Sequence, residues 1–148
     1  MAKNLLNKFA GLSVVESANA IAKNPLVPLS KQQIMDCVRP PQYVSDSCQG
    51  GTVDDVYSAV QQFGVVAEKV YPYTGRPGRC RRDSSDWTET ISSYAFLPIN
   101  ASDELIMSAL YSKGPLAAII NAGDRHFMLY RYWKLCAHCS ARIFNANT

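Results

Sequence analysis

The sequence predicts one α+β domain, with helices in its first half and strands towards its end. Three observations favour this class. Apolar residues recur at helical spacing between residues 9 and 64, short strand-like runs appear only after residue 91, and no repeat or long linker divides the chain. The 148 residues are 47% hydrophobic and 18% charged, which is the composition of a globular domain and excludes disordered and fibrous classes.

The first helix is predicted over about residues 9–23. Its apolar positions recur every three or four residues, as one buried face of a helix requires. Asn24-Pro25 then ends the helix, because proline does not continue it. The apolar positions are Phe9, Leu12, Val14, Val15, Ala18, Ile21 and Ala22.

The next two helices are predicted from their capping residues. Ser30, with Gln33 three residues later, has the spacing of a capping box before a short helix over residues 31–37. Thr52 caps a third helix that ends at Gly64, where a left-handed C-terminal cap is expected. The apolar face of this third helix consists of Val53, Val56, Tyr57, Val60 and Phe63.

The second half of the chain predicts fewer regular elements. Two Pro, two Gly and several Arg between residues 71 and 86 indicate an irregular, solvated segment. A strand is predicted within residues 91–99 and a buried strand over residues 116–120. Between them, Ser102 caps a helix that Gly114-Pro115 ends. The apolar side of that helix consists of Leu105, Ile106, Ala109 and Leu110.

Charge and cysteine content exclude several classes of protein. Fifteen Lys and Arg against twelve Asp and Glu give a net charge of +3, which is too weak to predict a nucleic-acid partner. No apolar run approaches the length that spans a bilayer, so no membrane partner is predicted, and no signal peptide is visible. The five Cys are an odd number, so at least one thiol stays unpaired if the others form disulfides.

Four local patterns lie in a specific order along the chain. They are Leu29-Ser-Lys-Gln-Gln-Ile-Met-Asp-Cys37, Ser47-Cys-Gln-Gly-Gly51, Tyr71-Pro-Tyr-Thr-Gly75 with Cys80 five residues later, and Gly114-Pro-Leu-Ala-Ala-Ile-Ile120. Each pattern alone is weak evidence, but in this order and at these separations the four resemble the papain-like cysteine peptidases. Val15-Glu-Ser-Ala18 is similar to the end of that family's central helix. The resemblance extends over about residues 9–131.

The resemblance implies a papain-like α+β fold with a helical lobe, a β-rich lobe and an active cleft between them. Residues 9–113 would form most of the helical lobe, residues 114–131 would start the sheet lobe, and residues 132–148 would be a divergent tail of one partial domain, residues 1–148. In this family a thiolate at the N-terminus of the central helix attacks a peptide bond, assisted by a His and an Asn. The implied partner is a peptide or protein substrate, with no cofactor and no metal. Localisation stays unknown, although the family is typically lysosomal or secreted.

The same resemblance places Leu6 at the nucleophile position and Asn7 where the family has Trp. Leucine is not a nucleophile, and the segments that carry the family's His and Asn are not found after Arg131. We therefore expect this chain to be inactive as a cysteine-type peptidase. A splice or gene-model origin of both ends would explain the abrupt loss of similarity, and the alternative is a pseudoenzyme that binds peptides or regulates a protease.

The resemblance also assigns three cysteines. Cys37 and Cys80 match a disulfide pair of the helical lobe, although two buried thiols would fit a chain without a secretion signal. Cys48 would have no partner, since Lys3 stands where the family has the other Cys. It is therefore expected to be an unpaired thiol.

Three residues are candidates for substrate binding. Gly50 and Gly51 match a glycine pair that lines the cleft, where the missing side chains let backbone groups hydrogen-bond an extended substrate. A tight turn is the alternative for this pair. Ile119 matches a wall of the pocket for the residue two before the scissile bond, and ordinary core packing is the alternative.

Other polar features predict less. His138, within Cys136-Ala-His-Cys139, has a spacing compatible with catalysis, but its surroundings favour an ordinary terminal residue, and no second Cys/His cluster completes a zinc site. The arginines at positions 76, 79, 81 and 82 lack an aromatic series or recognition helix and are interpreted as a solvated loop. Because residues 116–120 would lose their later strand partners, the chain is expected to be a monomer or aggregation-prone.

Overall fold

A computed structural model describes residues 5–48, 50–82, 88–120 and 142–147 of the chain. Within these ranges there are four helices and five short strands. In chain order they are α1 (Leu5–Ile21), α2 (Lys31–Cys37), α3 (Val53–Phe63), β1 (Val65–Val66), β2 (Thr88–Glu89), β3 (Ser93–Phe96), α4 (Asp103–Lys113), β4 (Leu116–Ile119) and β5 (Arg142–Asn147). The order confirms the predicted α+β class, with helices first and an antiparallel sheet late in the chain.

The helices α1 and α3 form the centre of the hydrophobic core. α1 begins at Leu5, earlier than the predicted start at residue 9. The two helices approach closely at Gly11, where an added Cβ would lie 3.1 Å from Val53 Cγ1. Their buried faces follow most of the predicted apolar positions. They include Leu12, Val15, Val53, Val56, Tyr57 and Val60, each at most 1% exposed. Ile21, predicted on the buried face of α1, is instead 66% exposed, because it is the last residue of that helix.

The predicted N-terminal caps are present, but the capping box is only half formed. The Ser30 hydroxyl accepts the Gln33 N–H at 3.0 Å, and Thr52 caps α3 in the same way. The Gln33 side chain does not return to Ser30; its Oε1 instead accepts the Val66 N–H at 2.8 Å. The predicted hydrogen bond from the Ser30 N–H to the Gln33 side chain is therefore wrong. The Gln33 side chain instead accepts a hydrogen bond from β1 and connects α2 to that strand.

Buried polar side chains of α2 hold the irregular segment of residues 71–82. Asp36, 2% exposed, accepts the Tyr71 hydroxyl and the Gly78 N–H, each at 2.6 Å. Gln32 donates to the Arg76 carbonyl at 2.8 Å and accepts the Thr74 N–H at 2.8 Å. The segment is irregular, as predicted, but it is fixed to α2 because these buried groups satisfy its backbone.

The late sheet has the strand order β3-β5-β4, and both pairings are antiparallel. β5 was not predicted, and the expectation that residues 116–120 lack a later partner is wrong. In the structure Leu116 pairs with Asn145 and Ile119 with Arg142. Burial of β4 is also less than predicted, since Ala117 is its buried residue.

The helix α4 is present where predicted, but its apolar side is not buried. Leu105 is 42% exposed and Leu110 is 47% exposed, and none of the α4 residues is buried. With β3, the helix borders an open groove of about 270 Å³ that includes Phe96 and Ala109. The apolar spacing therefore predicted the position of the helix correctly. The prediction that this apolar side is buried was wrong.

Candidate functional site

The first turn of α1 contains the position that the resemblance assigns to the nucleophile. Leu6 is the second residue of α1. Backbone N–H groups in a first turn have no intrahelical acceptor, and the helix dipole is positive there. Such an environment stabilises a thiolate. A leucine has no ionisable group, so this position combines the helix terminus with a side chain that is not a nucleophile.

A short loop closes on itself next to the candidate glycines. Asp46 and Gly50 form an antiparallel bridge, in which the Asp46 N–H donates to the Gly50 carbonyl at 2.9 Å and the Gly50 N–H donates to the Asp46 carbonyl at 3.1 Å. Gly50 has a φ of 139°, a conformation that favours glycine. Both backbone groups of Gly50 are thus used inside the loop.

Gly51 differs from Gly50 because its backbone groups are free. Neither its N–H nor its carbonyl hydrogen-bonds another residue in the part of the chain that the structure describes. A Cβ on residue 51 would overlap Lys8 Cε and the Ser45 hydroxyl, and would lie 2.9 Å from Ser45 Cβ. The close approach requires glycine at this position.

Lys8 lies against this loop and is a residue that the sequence analysis missed. Its side chain is fully buried, and its Nζ donates to the Val38 carbonyl at 3.2 Å and the Asp46 carbonyl at 3.3 Å. Burial lowers the pKa of the Lys8 ammonium, while the negative charges of Asp55 and Asp46 partly oppose that shift. The lysine therefore ties the second turn of α1 to the loop that carries Gly50 and Gly51.

A second set of hydrogen bonds holds the loop against α3. Asp55 Oδ2 accepts both the Ser45 N–H at 2.7 Å and the Ser45 hydroxyl at 2.6 Å. The Thr52 N–H donates to the same hydroxyl oxygen at 3.0 Å. Because Ser45 is 1% exposed, these bonds form away from solvent and fix the loop from its second side. The Gly51 backbone edge is accordingly preorganised between α1 and α3.

The cysteines have the states that the resemblance implies. Cys37 and Cys80 are joined by a disulfide with a Cα–Cα distance of 4.7 Å, which connects α2 to the segment of residues 71–82. Cys48 is a free, exposed thiol whose Sγ lies 3.6 Å from Met35 Sδ. Lys3, the residue expected to replace its partner, lies outside the described residues.

Ile119 is the last residue of β4 and is partly buried against the hydrophobic core. β4 packs on α1, and Lys8 of α1 packs on the loop of Gly51. The strand of Ile119 and the glycine edge therefore flank the same helix. Whether Ile119 forms a pocket wall stays a prediction.

The tail features lie outside the described residues, which include neither His138 nor Cys136 and Cys139. Across residues 5–48, 50–82, 88–120 and 142–147, no cluster of three or more His, Cys, Asp or Glu is arranged to hold a metal ion. None of the helices within those ranges has the length and apolar character needed to cross a bilayer.

The chain is similar in sequence to known cysteine proteases. Residues 7–143 match the family model described as papain family cysteine protease. The chain is 34% identical over 120 residues to cysteine proteinase 15A of Pisum sativum, which covers 77% of this chain and 32% of the relative. It is 31% identical over 139 residues to ananain of Ananas comosus, which covers 93% of this chain and 38% of the relative.

The fold is similar to that of solved structures. The crystal structure of the Carica candamarcensis cysteine protease CMS1MS2 in complex with E-64 has a TM-score of 0.78 to this chain, at 24% identity. The match covers 98% of this chain and 66% of that structure. The chain spans between 27% and 38% of the length of the first curated relatives.

Proposed function

Because this chain belongs to the papain family of cysteine proteases, we propose that it binds extended peptides at the family's cleft without hydrolysing them. The observation that carries this proposal is the contrast between two positions. Leu6, which the resemblance assigns to the nucleophile position, lies in the first turn of α1, whereas the backbone donor and acceptor of Gly51 have no partner among the described residues. In this proposal the chain binds the peptide backbone and does not hydrolyse the peptide bond.

The loss of activity follows from the first step of the family reaction. A thiolate attacks the carbonyl carbon of the peptide bond and forms a thioester, with release of the amine. A leucine at residue 6 has no electron pair to donate, so the acyl-enzyme does not form. The positive helix terminus that would stabilise a thiolate then has no catalytic role.

In this proposal the peptide binds along the loop that contains Gly51, as an added strand binds along the edge of a sheet. Gly51 offers one N–H and one carbonyl to a peptide backbone, which is the mode of β-augmentation. Gly50 makes no such contact in this proposal, because Asp46 already satisfies both of its backbone groups. Ile119 would contribute apolar contact to one side chain of the peptide.

Two measurements test the absence of hydrolysis. The purified chain should not cleave fluorogenic peptides, and turnover that a thiol-blocking reagent abolishes would contradict the proposal. In a Cys48→Ser background, Leu6→Cys should make residue 6 react with a peptidyl epoxide. Mass spectrometry identifies the alkylated residue. Leu6→Ser is the matched control, and a short cysteine-containing peptide in the same sample gives the ordinary thiol rate.

Peptide binding is tested separately, with peptides rather than variants. Two peptides of one sequence are compared, one of them N-methylated at the residue expected to face Gly51. Since the methyl group removes one hydrogen bond and leaves a buried acceptor unpaired, affinity should fall about tenfold. N-methylation of the adjacent residue, which faces away from the loop, is the control. Equal affinity of all three peptides would exclude recognition through the Gly51 backbone.

A further inference from the structure

Five arginines lie within four residues of one of the two disulfide cysteines in sequence. We call them the arginine cluster: Arg39, Arg76, Arg79, Arg81 and Arg82. No Asp or Glu occurs between residues 69 and 82, so this stretch of chain is purely cationic. The sequence predicts a solvated loop here, and Arg76, Arg79, Arg81 and Arg82 are indeed exposed. The structure adds that the backbone beneath them is fixed.

The carbonyl groups of the segment point into the protein. The Arg76 carbonyl accepts Gln32 Nε2 at 2.8 Å, and the Arg79 carbonyl oxygen lies 3.2 Å from the Tyr71 hydroxyl oxygen, which donates its proton to Asp36. Both side chains lie on the protein side of the segment, and Tyr71 is only 6% exposed. With its backbone tied inward by these contacts, the segment directs the guanidinium groups of Arg76 and Arg79 to solvent.

The disulfide gathers the cluster. The Cα atoms of Cys37 and Cys80 are 4.7 Å apart, and Arg39 follows Cys37 by two residues. Since successive Cα atoms are about 3.8 Å apart, the Cα atom of Arg39 lies within about 12 Å of the Cα atom of Cys80. Arg79, Arg81 and Arg82 are closer to Cys80 along the chain. The disulfide therefore brings the backbone of Arg39 close to that of Arg79, Arg81 and Arg82, although the two cysteines are 43 residues apart in sequence.

Two members of the cluster are held by aromatic rings. The Arg81 guanidinium lies 4.3 Å from the centre of the Tyr71 ring, and the Arg82 guanidinium lies 4.4 Å from the centre of the Phe63 ring. Cation–π contacts of this kind orient a guanidinium without neutralising it. Each of these rings also has one face covered, so that face is closed to a stacking ligand.

None of the five arginines forms an ion pair within the described residues, where the salt bridge is that of Lys31 with Glu68. Asp83 and Asp86 follow the segment in sequence and lie outside those residues. A group of exposed guanidinium ions attracts polyanions, because the planar fork of donors matches tetrahedral oxyanions and the positive fields add.

We propose that the arginine cluster binds a sulfated polysaccharide. Sulfate esters on such a chain offer repeated oxyanions along an extended ligand, and basic clusters of this size are typical of heparin-binding patches. Nucleic acid is disfavoured, because single strands need aromatic faces for stacking and duplexes need a reading helix or ribbon. The disulfide also indicates an oxidising compartment, where sulfated polysaccharides rather than nucleic acids are met.

The test is binding of the whole chain to a heparin oligosaccharide as NaCl is titrated. Arg76→Gln and Arg79→Gln together should lower affinity about tenfold at low salt and weaken its salt dependence. This double variant should fold normally, since these residues contact the protein through their carbonyls. Arg76→Lys with Arg79→Lys should keep part of the affinity, because charge remains while the bidentate geometry is lost.

Lys23→Gln with Lys113→Gln is the matched control, because it removes the same charge outside the cluster. Its affinity should stay within about twofold of the parent chain. Equal loss in both double variants, no binding of the parent chain at low salt, or unchanged affinity of the Arg76/Arg79 variant would each overturn the proposal. Tighter binding of single-stranded or duplex DNA than of heparin would also overturn it. None of these outcomes depends on peptide binding at Gly51.

Discussion

The side chain of Lys8 occupies the space in which residue 51 would carry a Cβ. The Lys8 Cε atom lies where that Cβ would stand, and Ser45 closes the other side. The buried Lys8 side chain therefore restricts which residue can occupy position 51, although 42 residues lie between the two positions in the sequence. Glycine is required at residue 51 because no Cβ fits there.

We expect Gly51→Ala to destabilise the fold by about 3 kcal/mol, since the added methyl overpacks a site closed by two side chains. The free energy of unfolding in urea measures this cost. In a Lys8→Ala background the same substitution should cost at least about 1 kcal/mol less, because one clashing partner is gone. Additive costs in the double variant would show that Lys8 does not restrict residue 51.

Gly75→Ala is the control for a general effect of losing glycine. Gly75 has a φ of +71°, but an added Cβ there would meet Tyr73 only at 3.8 Å. Its substitution should therefore cost backbone strain alone, about 1–2 kcal/mol. This cost should not change when Lys8 is also replaced.

The features that the sequence predicted correctly depend on residues close together in the chain. Ser30, Thr52 and Ser102 each cap a helix as expected, because an N-cap depends on a side chain and a backbone group three residues away. The core faces of α1 and α3 also follow directly from their spacing. These features need no knowledge of distant residues.

The missed features depend on distant partners. A lysine is usually expected on the surface. Lys8, however, precedes the buried Leu12 and Val15 by four and seven residues, and this spacing places it on the buried face of α1. That spacing was the available signal. β5 has a short run, Ile143-Phe144, that identifies no partner by itself, and its pairing with β3 and β4 is set by tertiary contact.

The disulfide should be a large contributor to stability. Replacing both Cys37 and Cys80 by Ser is expected to lower the free energy of unfolding by about 4 kcal/mol, because a crosslink between residues this far apart restricts the unfolded chain. Urea unfolding with and without a thiol reductant measures the difference. Cys48→Ser, which removes an exposed free thiol, should change stability by less than about 0.5 kcal/mol. An equal effect of the two changes would contradict the assignment.

Lys8 should make stability depend on alkaline pH in a defined direction. Its pKa is lowered in the folded state, so between that value and the unfolded value of 10.5 the unfolded chain binds more protons. Stability from this group therefore rises with pH across that window and is constant on either side of it. We expect Lys8→Met to remove this rise.

The measurement is the free energy of unfolding of the parent chain minus that of Lys8→Met, followed as pH increases towards 10.5. The difference should grow in favour of the parent, because the tyrosines titrate in both proteins and cancel. At neutral pH the variant should be less stable by about 1–3 kcal/mol, since the Val38 carbonyl loses the Lys8 donor and the Asp46 carbonyl keeps only the Gly50 N–H. A difference that shrinks with rising pH would exclude a lowered pKa for Lys8.

Tyr57 should have the opposite effect on alkaline stability. Its hydroxyl is buried and has no hydrogen-bond partner among the described residues, and burial raises the pKa of the Tyr57 phenol. Above about pH 10 the unfolded chain loses this proton first, so the contribution of Tyr57 to stability falls as pH rises. Tyr57→Phe should remove that loss.

At neutral pH we expect Tyr57→Phe to be neutral or to stabilise the fold by about 1 kcal/mol, because an unpaired buried hydroxyl is removed while the ring packing stays. Thermal and urea unfolding at pH 7 and in alkaline buffer measure both effects. Tyr111→Phe, at a side chain 96% exposed, is the control and should change neither. Destabilisation by more than about 1 kcal/mol would mean that the Tyr57 hydroxyl donates a hydrogen bond in the folded protein, since only a lost partner produces a cost of that size.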